Sequence, residues 1–153
     1  MGQETVGTSL RQRRIIAGIS QRELAHRSGV PQPNISAYES GRRQPTQETL
    51  QRLEEALKVP TLTQLRNVRE QILQVARARR LDNVRVFGSV ARGAAHAGSD
   101  IDLLVHPAED ASLFDLAGFM TEVEELMGVP VDVVSDRGHG PTMDRIRDEA
   151  AVL

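Results

Sequence analysis

Two aspartates, Asp100 and Asp102, stand one residue apart in the run SDIDLLV, and a third, Asp132, is a lone acid inside the apolar run VDVV. Side chains alternate along a strand, so residues 100 and 102 emerge on one face with their carboxylates a few ångströms apart. Like charges that close need divalent cations to be tolerable. If the VDVVS strand lies beside DIDLLV, Asp132 completes a three-acid site. Such a cluster suits Mg2+, which keeps part of its water shell and binds through a few carboxylates plus substrate phosphates. Two ions so held can clamp the attacking and leaving oxygens of an in-line displacement at phosphorus. Upstream, Phe87-Gly88-Ser89 closes another alternating run. Gly88 lets the backbone come close to a triphosphate, Ser89 and neighbouring N–H groups can donate to it, and Arg92 could offset charge developing on the phosphates. The expected catalytic and metal-holding residues are therefore Asp100, Asp102 and Asp132, and the expected nucleotide-binding residues are Gly88, Ser89 and Arg92.

The elements that must position these groups are legible from periodicity. From residue 83 apolar residues alternate: NVRVFGS predicts a strand, DIDLLV a second and VDVVS a third. Between the second and third, SLFDLAGFMTEVEELMG predicts an amphipathic helix from a Ser112 cap to Gly128, and PTMDRIRDEAAVL a last helix with Asp144, Asp148 and Glu149 on its solvated face. Before the first strand, LTQLRNVREQILQVARARR places Leu62, Leu65, Val68, Ile72 and Val75 at helical spacing, which predicts one long helix. The four histidines, His26, His96, His106 and His139, have no paired ligand spacing and read as ordinary surface or core.

The first part of the chain has a different character. Residues 1–80 carry 14 Lys and Arg against 7 Asp and Glu, whereas residues 81–153 carry 5 against 14, so the net charge of −2 hides a basic half and an acidic half. A basic half suits a polyanion. Aromatic residues are scarce, Tyr38, Phe87, Phe114 and Phe119, so recognition by rows of stacked rings is not expected and any nucleic acid should be duplex. Glycines and caps divide this half into short helices. Thr8 or Ser9 opens the first, which stops near Gly18; Ser20 opens the second, with Glu23 three residues on as in a capping box; and Gly29 ends it. A third helix follows, with Pro31 or Pro33 in its first turn, and Thr46 caps a fourth that aligns Leu50, Leu53 and Leu57. Ala25 must be small where two helices cross, Gly29 makes the turn, and Leu24, Ile35 and Tyr38 close a miniature core.

The run from Gly18-Ile19-Ser20-Gln21 through Gln32, Ile35, Tyr38-Glu39, Gly41-Arg42-Arg43 and Pro45 resembles the XRE and phage-repressor class of helix-turn-helix over residues 7–59. The resemblance implies a recognition helix in the major groove, with Gln32, Asn34, Ser36 and Ala37 facing base edges and Gln21, Arg42 and Arg43 on phosphates. It also implies a structural pair between Arg14 and Glu39, and two-fold operator DNA read by a dimer. Pro33 departs from the polar residue usual near the front of that helix.

Gly88-Ser89 followed after ten residues by Asp100-x-Asp102, with the third acid Asp132, resembles the polymerase-beta-like nucleotidyltransferases, and FGSVARGAAHAGSDIDLLV is similar to their minimal MNT subfamily. Members of that subfamily pair with HEPN RNase toxins, and the resemblance implies an antitoxin that moves AMP from ATP to its toxin. The expected architecture is thus an all-α helix-turn-helix domain of four to five helices over 1–60, followed over 61–153 by an α/β (α+β) nucleotidyltransferase with a small mixed sheet flanked by helices. Expected partners are a HEPN-type toxin and operator duplex DNA, in a homodimer or a toxin–antitoxin hetero-oligomer. Expected cofactors are two Mg2+ ions, with ATP as substrate. Two other readings stand beside this one. The chain could be a repressor that masks its toxin without chemistry, or a transferase acting on a small molecule, although no separate acceptor-binding segment is visible. With no cysteine, no apolar leader and no apolar stretch near 18 residues, a soluble cytoplasmic protein without a membrane partner is expected.

Overall fold

The computed structural model describes residues 6–153. It divides into two compact units: one runs to Val59 and includes His96–Gly98, the other comprises Pro60–Ala95 and Ser99–Leu153.

The first unit is all-helical, with α1 (Val6–Ile16), α2 (Gln21–Ser28), α3 (Gln32–Glu39) and α4 (Gln47–Ala56). Its core is built from Leu10, Ala17, Ile19, Leu24, Val30, Ile35, Tyr38, Leu53 and Leu57, and Ala25 packs against it. The boundaries follow from local chemistry. The Ser20 hydroxyl accepts the Glu23 N–H at 3.0 Å and Thr46 accepts the Thr49 N–H at 3.2 Å, each satisfying a donor that a helix start leaves orphaned. Only half of the expected capping box at Ser20 forms, because the Glu23 carboxylate turns to Arg27 at 2.6 Å, one helical turn on. Gly29 ends α2 in the left-handed conformation at φ 65°, and its N–H donates to the Ala25 carbonyl. Pro31 and Pro33 both sit at the very start of α3, where a missing N–H costs nothing.

The second unit is a four-stranded sheet in the order β3-β2-β1-β4, with β1 at Leu81–Phe87, β2 at Ile101–Pro107, β3 at Val131–Ser135 and β4 at Ala151–Val152. β1 is antiparallel to β2 and β4, and β2 is parallel to β3, so the sheet is mixed. One face is covered by α6 (Arg69–Ala78) and α8 (Leu113–Met127), which pack on β1 and β3 and on each other. Ile101, Leu103 and Val105 of β2 join Ile72, Val86, Phe119 and Val123 in that core. α8 begins where the Asp115 carboxylate accepts both the Ser112 N–H (2.8 Å) and its hydroxyl (3.0 Å), and ends at Gly128.

The first helix holds Thr8 and Ser9 within α1, which includes Val6, and does not start at either, and three further features depart from the sequence expectation. The long helix over 62–80 is two, α5 (Leu62–Asn67) and α6, parted at Val68 with φ −108° and ψ 14°. The apolar stripe is kept, since Leu65 and Ile72 are both fully buried. Asn67 and the β-branched Val68 are poor helix formers, and the Val68 N–H bonds to Leu65, three residues back, instead of four. A short helix, α7 (Gly88–Ala91), follows β1 directly. Finally, the last helix stops early as α9 (Pro141–Glu149), and β4 pairs with β1 through Arg85↔Val152 and Val86↔Ala151. Among the described residues no helix is long and apolar enough to cross a membrane.

Candidate functional site

The registers of β2 fix the geometry of the acids. Asp102 is paired with Asp132 in parallel β3 and with Phe87 in antiparallel β1. Register partners on adjacent strands project to the same face, so Asp102 and Asp132 emerge together on the face opposite the buried Ile101, Leu103 and Val131. Asp100 directly precedes β2 and does not lie within it, so strand alternation does not fix its direction, but its charge acts on the Asp102 carboxyl. Asp102 is half-buried, while Asp100 and Asp132 are exposed. The β2–β3 pairing thus brings together Asp102 and Asp132, two of the three acids the sequence singles out.

Gly88 holds this cluster against α7. Its φ of 71° is a backbone state that L side chains rarely adopt, and a Cβ there would stand 2.2 Å from Asp102 Oδ2. The bare backbone is thus a wall of the Asp102 pocket. Burial pushes the Asp102 carboxyl above the usual aspartate range; the negative charges of Asp132, Asp100 and Glu149 push the same way, and Arg92 opposes them. Ser89 is half-buried and its carbonyl accepts the Ala94 N–H at 2.9 Å, which closes the turn after α7. Arg92, exposed at the end of α7, forms an ion pair with Glu149, the last residue of α9. Sequence reasoning placed Glu149 on a solvated helix face; its side chain is only 27% exposed. The signal that would have found it is the β4 register, which two residues of chain cannot reveal.

The donor set of the site is all carboxylate, the chemistry of a hard divalent cation. Side-chain placement is looser than a closed cage: among the described residues no three His, Asp or Glu side chains converge on one metal position. Acidic neighbours around a carboxyl pushed up by burial and by their charges fit a cation that also takes ligands from water and phosphate.

In the helical unit a polar chain crosses from α1 to the front of α3. Arg14 Nε and Nη2 donate to the two Glu39 oxygens at 2.7 and 3.1 Å, Gln21 Nε2 donates to Glu39 at 2.9 Å, and Gln32 Nε2 donates to Gln21 Oε1 at 2.9 Å. Burial works to raise the Glu39 carboxyl, but the hydrogen bonds from Arg14 and Gln21 prevail and hold it below its ordinary value. Ile35 and Tyr38 turn inward, whereas Gln32 is exposed and Asn34, Ser36 and Ala37 are partly exposed. Arg42 and Arg43 are exposed after α3; Arg43 reaches Asn34 Oδ1 at 3.4 Å and Arg42 bonds the Ser40 hydroxyl at 2.9 Å.

A nucleotidyltransferase domain model matches residues 65–151, more than half of the chain, and a helix-turn-helix model matches residues 10–63. The chain belongs to the nucleotidyltransferase domain family. Its helical unit is of the XRE helix-turn-helix type, as expected. A Methanocaldococcus jannaschii protein that bears the name of a protein adenylyltransferase is 34% identical over 87 residues, which are 56% of this chain and 94% of that one. A solved structure described as a minimal nucleotidyltransferase is 43% identical with a TM-score of 0.56, covering 61% of this nucleotidyltransferase and 97% of its own chain. An HTH-type transcriptional regulator of Mycobacterium tuberculosis is 42% identical over 53 residues, 35% of this chain; the match spans 38% of the regulator's length. The enzymatic class and the two-part architecture read from the motifs are therefore those of the protein.

Proposed function

We propose that this chain is an antitoxin that transfers AMP from ATP to a hydroxyl of a HEPN-type toxin, and that it represses its own operon by binding operator DNA in the cytoplasm as a dimer or with its toxin. The observation that carries the catalytic half is the Asp102↔Asp132 register, next to a glycine whose Cβ would collide with Asp102. The likeness to a minimal nucleotidyltransferase, and to a relative named for protein adenylylation, supports a macromolecular acceptor. The MNT-like run from Phe87 to Val105 supports the toxin as that acceptor.

In this reading the acceptor oxygen attacks the α-phosphorus of ATP, the bond to the bridging oxygen breaks, and pyrophosphate leaves. Asp132, exposed at the start of β3, takes the proton of the acceptor hydroxyl. Gly88 keeps the backbone open to the phosphates, Ser89 donates to them, and Arg92 offsets the charge gathered on the departing pyrophosphate. Asp100 and Asp102 would hold two magnesium ions, with Asp132 completing one site; magnesium supplies charge stabilisation to both oxygens of the displacement. The exposed end of α3, with Gln32, Asn34, Ser36 and Ala37, would face base edges, while Gln21, Arg42 and Arg43 would hold phosphates.

Incubation of the purified chain and toxin with α-labelled ATP and Mg2+ should label the toxin, and Asp100→Asn with Asp102→Asn should abolish the label. Absence of label at every divalent metal tried refutes the catalytic reading. If the double variant still neutralises the toxin in cells, protection comes from masking and not from transfer.

A further inference from the structure

Arg92 is offered to phosphates in the reading above, yet in the structure it is already engaged by a carboxylate from the far end of the unit. β4 explains why. β4 pairs with β1 through Val86↔Ala151, and the two helices that flank this pairing, α7 after Phe87 and α9 ending at Glu149, carry the two partners. Leu153, buried after β4, fixes that end of the chain: its N–H donates to the Val84 carbonyl at 3.2 Å and its carbonyl accepts from Arg69 Nε at 2.8 Å. The partly buried Glu149 carboxylate, two residues before β4, pairs with the Arg92 guanidinium at the end of α7. Glu149 also lies close enough to Asp102 to raise its carboxyl while Arg92 lowers it, so the pair borders the acid cluster.

We propose that Glu149 is a stand-in for nucleotide phosphate: it occupies Arg92 until the triphosphate arrives and is exchanged for it. The proposal rests on the reading of this site as one that binds a triphosphate. A guanidinium pairs with carboxylate and phosphate through the same planar donors, so one anion can replace the other without rebuilding the site. With Glu149 on Arg92, the cluster of Asp100, Asp102 and Asp132 has its neighbouring cation neutralised, and an incoming phosphate chain must compete for it. The competition costs affinity in the free protein and holds Arg92 in a preset place, which makes Glu149 a positioning residue.

The test is a double-mutant cycle on the full chain, read by calorimetric titration with Mg·AMP-PNP and, separately, with inorganic tripolyphosphate and Mg2+. Glu149→Gln should tighten both ligands about fivefold, the upper worth of an exposed ion pair. In an Arg92→Ala background the same substitution should give no gain. Thermal melts of each variant check that the fold is kept, and Glu149→Ala serves as a second variant should Gln disturb the helix end. The proposal is overturned if Glu149→Gln leaves affinity unchanged or weakens it, which would mark a structural pair or a metal ligand. It is equally overturned if the gain persists without Arg92, which would mark general repulsion. Failure of the unaltered chain to bind either ligand removes the triphosphate reading itself, and that outcome is distinct from both.

Discussion

At the scale of single residues, the site is set by what stands next to Asp102. Gly88 satisfies two demands at once, a positive φ and an approach to Asp102 Oδ2 that leaves no space for a methyl group. Gly88→Ala is expected to cut transfer activity at least a hundredfold, since displacing a positioned group by about 1 Å has that scale of effect. Stability should fall too, by about 1–2 kcal/mol for the strained backbone. Steady-state transfer and chemical denaturation measure the two effects separately. Asp102 gives the opposite stability effect. Its carboxyl is raised by burial and by Asp132, Asp100 and Glu149, so between the unfolded value of 3.8 and its higher folded value the native state binds more protons than the unfolded one. The metal-free chain should therefore lose stability as pH rises through that window. Asp102→Asn should raise the melting temperature of the metal-free chain at neutral pH while abolishing transfer. Added Mg2+ should raise the melting temperature of the unaltered chain and not that of the variant; at about a hundredfold excess over its Kd, specific binding contributes roughly 2.7 kcal/mol. Equal response of both proteins would show that Asp102 holds no ion.

At the scale of elements, the parts that sequence made legible are those with a strong period or a sharp boundary. β3 was readable to the residue because VDVVS alternates between turn signals, and α8 because Ser112 and Gly128 bracket it. The Asp102 and Asp132 pairing followed from one assumption of adjacency, which β2 and β3 satisfy, whereas Asp100 falls just outside the strand expected to hold it and Gly88 opens α7. What could not be read has a physical cause in each case. Val68 parts α5 from α6 without breaking the apolar stripe, and periodicity reports a face, not continuity. β4 is two residues long, too short to carry any period, and its pairing follows from the edge of β1 needing partners. Glu149 ends the helix just before β4, and its pairing with Arg92 was hidden along with that strand. Leu153→Ala tests how far the terminal segment anchors the unit: it removes a side chain only 6% exposed in the core and should cost about 2–3 kcal/mol in denaturant unfolding. The same variant should also loosen Glu149 and reduce its effect on nucleotide affinity. An unchanged midpoint would show that β4 is a passive end.

At the scale of the whole molecule, the division of charge along the chain makes a prediction about two activities. The positive residues are concentrated before residue 81 and the acids after it. Binding to DNA should therefore be driven by the helix-turn-helix part, with a steep salt dependence, because each phosphate contact releases condensed counterions. Substitution of Arg42 and Arg43 by Ala should weaken binding to specific and nonspecific duplexes alike and reduce the slope of log K against log salt by about 2, one for each lost phosphate contact. Gln32→Ala should behave differently. It removes a proposed base contact and also frees Gln21, whose amide oxygen Gln32 now occupies. The expected result is a loss of about 1–3 kcal/mol confined to the specific operator, with the salt slope unchanged, read by fluorescence anisotropy on operator and scrambled duplexes across a salt series. The Asp100→Asn, Asp102→Asn variant should reproduce the unaltered slope, since the acids it neutralises belong to the other unit. A shallower slope in that variant, or a Gln32→Ala defect shared by scrambled DNA, would mean that the two units do not divide recognition and transfer between them as their charges suggest.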